Sequence, residues 1–62
     1  MIIVILNNEK RHEFPNAVEA KPSIPGFMGI YERNPSAAAN NPLKLVAQIK
    51  TKLINSILYR DF

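Results

Sequence analysis

Met1-Ile2-Ile3-Val4-Ile5-Leu6 is an unbroken apolar run that stops at Asn7-Asn8-Glu9. It is too short for a stable helix and mostly β-branched, so it predicts a strand. Successive side chains of a strand point to opposite faces, and a continuous apolar run therefore demands cover on both. That demand falls on a chain of only 62 residues. A domain of this size buries only about 60% of the surface its unfolded chain exposes. With no cysteine and one histidine, neither a disulfide framework nor a metal site is expected to hold the fold. A second copy of the chain is the expected source of cover. Ile3 and Ile5 are the candidate self-association residues, and a homodimer is the expected assembly.

Apolar residues make up 47% of the chain and charged ones 21%, which excludes a disordered tail or a low-complexity linker. One domain over residues 1–62 is expected. Asn7-Asn8-Glu9 reads as a hairpin turn, with a return strand over Lys10–Phe14. Pro15-Asn16 predicts a second turn, followed by a short strand in which Val18 and Ala20 alternate with Glu19 and Lys21, ended by Pro22. Pro25-Gly26 is a type II turn signal. Phe27–Glu32 then reads as a strand with Phe27, Gly29 and Tyr31 on one face. Residues 33–42 carry two prolines and no apolar period and are expected to form a mobile loop.

Residues 43–60 fit two templates. Asn41 and Pro42 make a helix start signal, and Val46, Ile49, Leu53 and Ile57 follow helical spacing. The same stretch alternates as two strands joined by a Thr51-Lys52 turn. Two features favour strands. An uncovered edge in a smaller sheet needs pairing, and a resemblance points the same way. Leu6–Ala17, with its turn followed by His12-Glu13-Phe14-Pro15-Asn16-Ala17, resembles the opening of short uncharacterised phage and prophage proteins. Val46–Ile49 and Ile54–Tyr59 are similar to their closing strands. The resemblance implies a phage-encoded small β-roll. The expected fold is all-β, a five-stranded antiparallel sheet closing into a roll or barrel. The alternative is α+β, a β-hairpin sheet plus a C-terminal helix over 43–60.

The residues offer little chemistry. His12 and Glu13 are adjacent, so on a strand they point to opposite faces and cannot act together. Glu9, Glu13, Glu19, Glu32 and Asp61 are scattered along the chain, and neither Ser23 nor Ser36 lies in a nucleophile context. Gly26 and Gly29 lack the Lys-Ser/Thr sequel of a phosphate loop. No enzymatic activity, cofactor or metal is expected. The apolar run is far shorter than the about 20 residues of a membrane span and lacks the basic start of a signal peptide. A cytoplasmic protein is expected.

The net charge of +3 is uneven. Residues 1–42 balance four basic against four acidic side chains, whereas 43–62 carry Lys44, Lys50, Lys52 and Arg60 against Asp61 alone. These four basic residues are the candidate partner-binding set. The expected function is a non-enzymatic protein-binding module. The phage resemblance implies an inhibitor of, or adaptor to, a host protein such as a defence system. The alternative is a small basic nucleic-acid-binding protein, with Lys44, Gln48, Lys50 and Arg60 on one face and Phe27 and Tyr31 as a stacking platform.

Overall fold

A computed structural model describes residues 1–34 and 42–60. Six strands follow one another: β1 (Ile2–Leu6), β2 (Arg11–Phe14), β3 (Ala17–Ile24), β4 (Phe27–Arg33), β5 (Leu43–Lys50) and β6 (Ile54–Tyr59). Between β5 and β6 lies a 3₁₀ turn, Thr51–Leu53. Among the described residues no helix is long and apolar enough to cross a membrane. The loop expected at 33–42 falls largely on residues 35–41, outside the described residues; on its flanks, Asn34 N–H donates to the Pro42 carbonyl at 2.8 Å.

The chain is all-β, but the strands form two three-stranded antiparallel sheets, β2-β1-β6 and β3-β4-β5, rather than one five-stranded sheet. The chain changes sheet at Pro15-Asn16 and again at Thr51–Leu53. The helical alternative for 43–60 is replaced by β5, the corner and β6. The strand expected to end at Pro22 runs on to Ile24. It can do so because β3 is an edge strand, where proline withholds no ladder hydrogen bond.

Turn chemistry places the hairpin tips. Leu6 N–H donates to the Lys10 carbonyl and Glu9 N–H to the Leu6 carbonyl, at 2.8 and 2.9 Å. Asn8 Oδ1 accepts from Lys10 N–H at 3.1 Å. This is a three-residue hairpin loop whose last residue is left-handed, and Glu9 holds that position with φ 69°. Gly26 supplies φ 84° at the third position of the Ile24–Phe27 turn, as a type II turn requires.

The sheets pack through their inner faces. Ile2 and Val4 of β1 meet Ala17 of β3 and Ile30 of β4, with Leu6, Phe14, Ala20, Ala47, Ile49, Ile54 and Ile57 around them. The Cα atoms span 38 × 31 × 12 Å, and the shortest dimension admits two strand layers about 10 Å apart. Ile3, on the opposite face of β1, is also 0% exposed; its register partners on that face are Glu13 and Leu58. The chain thus covers Ile3 by itself, and Ile3 presents no surface to a second copy. Ile5 is half-buried.

The 3₁₀ corner holds the sheets in relation to each other. Thr51 N–H donates to the Gly26 carbonyl at 3.0 Å, reaching the tip of the β3–β4 hairpin. From the tip of the β1–β2 hairpin, Asn7 N–H donates to the Leu53 carbonyl and Asn7 Nδ2 to the Lys52 carbonyl, both at 2.8 Å.

Candidate functional site

The register of β3, β4 and β5 sorts their side chains between two faces. Met28, Ile30 and Glu32 share the inner face with Pro22, Ala20, Ala17, Ile49, Ala47 and Lys44. Phe27, Gly29, Tyr31 and Arg33 share the outer face with Ile24, Lys21, Glu19, Lys50, Gln48, Leu45 and Leu43. Phe27, Gly29 and Tyr31 therefore lie together as their alternation predicts.

The centre of the outer face is built around Gly29. A Cβ at this glycine would lie 2.8 Å from both Cε1 and Oη of Tyr31 and 2.9 Å from the Ser23 Cβ. The missing side chain lets the Tyr31 ring lie across the strand. Lys21 Nζ stands over that ring, 5.0 Å from its centroid, a favourable cation–π contact. The same ammonium is 3.8 Å from a Glu19 carboxylate oxygen. Gln48 Nε2 donates to Ser23 Oγ at 3.2 Å. Apolar surface remains open beside these polar contacts, with Ile24 49% and Leu45 45% exposed.

At one end of this face, Gly26, Phe27, Lys50, Thr51 and Lys52 line an open hollow of about 520 Å³. Phe27 is half-buried and directly opposite Lys50 across the β4–β5 ladder. The corner then brings Lys52 to the same hollow.

The four basic candidates do not form one patch. Lys50 and Lys52 converge at the hollow, but Lys44 pairs with Glu32 and points to the other face of the sheet. The cause is a bulge: Ile30 pairs with Ala47 and Tyr31 with Leu45, leaving Val46 without a partner. An extra residue in one strand reverses the alternation beyond it. Arg60 follows β6 in the other sheet, where its carbonyl accepts from the Met1 ammonium and its N–H donates to the Met1 carbonyl, at 2.8 and 2.9 Å. Lys44, Gln48, Lys50 and Arg60 accordingly do not share a face. Sequence reasoning did not include Lys21 in the site. Its alternation with Ala20 showed that it faces outward, but its position over Tyr31 depends on the β3–β4 pairing.

His12 pairs with Val4 and Glu13 with Ile3, on opposite faces of β2. Glu13 instead accepts from Arg11 Nε at 3.1 Å. Among the described residues no three of His, Asp and Glu come together as metal ligands. None of the family models, curated proteins and solved structures compared with the chain matches it.

Proposed function

We propose that this chain is a non-enzymatic binding module that docks an acidic protein surface through the outer face of β3–β4–β5. The supporting observation is Phe27 and Tyr31, half-buried on a sheet face turned away from the core, with open Leu45 and Ile24 beside them and Lys21, Lys50 and Lys52 around them. Aromatic anchors within a charged rim are the composition of a protein-binding patch. The resemblance to phage proteins supports a host protein as the partner and an inhibitor or adaptor role. A stacking platform for nucleic acid is less well supported. Lys21 stands over the Tyr31 ring and Gly29 packs against its Cε1 and Oη end, so a base stacking there would have to displace the Lys21 ammonium.

The test is capture from lysate of the expected host by the tagged protein, with and without nuclease. Under this reading a protein is retained at moderate salt, nuclease changes nothing, and Leu45→Glu releases it. Leu45 is exposed, so this variant keeps its core. Retention of nucleic acid that washes off steeply with salt overturns the reading.

A further inference from the structure

We infer that the hollow between the β3–β4 turn and the 3₁₀ corner is the anchor pocket of this face, and that its occupant is an aromatic side chain of the partner flanked by carboxylates. This inference rests on the docking reading above and names the chemistry that the docked surface must carry.

Three observations carry it. The first is size: the open hollow measures about 520 Å³, within the roughly 300–1,000 Å³ range of binding clefts, so it has room for one side chain of a partner. The second is charge. Phe27 provides an apolar floor, Lys50 and Lys52 provide two ammonium groups, and no carboxylate is among the lining residues. A lone anion would leave Phe27 in water, while the two exposed ammonium groups, hydrated in the free protein, favour a partner whose carboxylates come near them. A ring between carboxylates satisfies both, burying apolar area on Phe27 and placing acids near the lysines.

The third observation is rigidity. Both walls are tied in place, one by Thr51 N–H on the Gly26 carbonyl and the other by Asn7 Nδ2 on the Lys52 carbonyl. A pocket whose backbone is already fixed loses little entropy on binding. Gly26 also leaves its side open, since nothing lies within 4 Å of where its Cβ would be.

The experiment titrates the isotopically labelled full chain with a blocked pentapeptide holding tryptophan between two acidic pairs. Backbone amide signals of Gly26, Phe27, Lys50, Thr51 and Lys52 are followed. Saturable shifts at these amides are expected, and they shrink sharply when the peptide's tryptophan is alanine or its acids are amides. The double variant Lys50→Gln/Lys52→Gln, at exposed positions that do not threaten the core, should bind about tenfold more weakly.

Equal shifts from a basic tryptophan peptide overturn the assignment. So does displacement of the acidic peptide by an oligothymidylate, which would make nucleic acid the occupant. Concentration-dependent shifts of the same amides without peptide would make it a second copy of the chain. If the acidic peptide leaves these amides unmoved while Leu45→Glu still abolishes capture, the pocket assignment falls and the docking face stands. If capture ignores Leu45→Glu as well, the docking face falls too.

Discussion

Two residues act through the backbone conformation or space they require. Gly29 has ordinary strand dihedrals, so its importance lies in the Tyr31 ring that occupies the place of its Cβ. Gly29→Ala must push that ring aside and is expected to cost about 1–3 kcal/mol, as overpacking does. Urea unfolding checks this, and a Tyr31→Ala background should remove part of the cost but not all of it, because the Ser23 Cβ still lies 2.9 Å from the new methyl. Glu9 presents the opposite case, a side chain at φ 69° where the hairpin loop calls for glycine or asparagine. Relief of roughly 1–2 kcal/mol of left-handed strain is partly offset by glycine's entropy of roughly 0.5–1 kcal/mol. Glu9→Gly should therefore raise the urea midpoint. A lower midpoint would show that Glu9 holds the turn by some other contact.

At the scale of elements, bulges decide which side chains face inward. Val18, Ser23, Val46 and Asn55 each stand without a partner in the ladders of their strands. Asn55 lets Ile54 and Ile57 both reach the core side, opposite Leu6 and Val4. A bulged strand thus spaces its inward residues by three, which is also a helical step. Of the residues at helical spacing over 43–60, Ile49 and Ile57 do face the core, whereas Val46 and Leu53 are exposed. Val18 and Ala20 alternate with Glu19 and Lys21 in sequence, yet at the bulge Val18 is 44% exposed and Ala17 is the buried residue. The corner between β5 and β6 has its own test. Asn7→Ala removes the Nδ2 bond to the Lys52 carbonyl and is expected to cost about 0.5–1.5 kcal/mol. Amide exchange should quicken most at Thr51 and Ile54, whose N–H groups donate to the Gly26 and Thr51 carbonyls; uniform quickening would mean that the corner does not open as a unit.

For the whole molecule, the buried apolar set is small: Ile2, Ile3, Val4, Ala17 and Ile30. Val18, Ile24, Leu45, Val46, Leu53, Leu58 and Tyr59 remain exposed. Stability of roughly 0.05–0.15 kcal/mol per residue leaves such a chain only a few kcal/mol in total. Ile3→Lys places a charge where exposure is 0% and should unfold the protein outright. Ile5→Lys, at a half-buried position, should leave a folded β spectrum. A folded Ile3→Lys protein by circular dichroism would refute the cover assigned to β1. A homodimer remains our proposal, with its contact among exposed apolar side chains outside the docking face, such as Leu58 and Tyr59 of β6, rather than at Ile3. Light scattering at micromolar concentration should then give twice the chain mass of 7.0 kDa, and a single-chain mass would reject it.

The sequence by itself determined that strands and turns alternate up to Glu32, although β3 runs past the expected stop at Pro22 to Ile24. β-branching, proline and glycine act between residues adjacent in the chain, so the β1–β2 hairpin, the Pro15-Asn16 turn and the Pro25-Gly26 turn were legible without a partner strand. Only the tertiary structure decided which face each later side chain joins. The Val46 bulge sends Lys44 away from Lys50, the β4–β5 ladder sets Phe27 opposite Lys50, and the corner tied to Asn7 and Gly26 brings Lys52 beside them. These placements depend on register between strands distant in sequence, where a slip of one residue exchanges the two faces of a sheet.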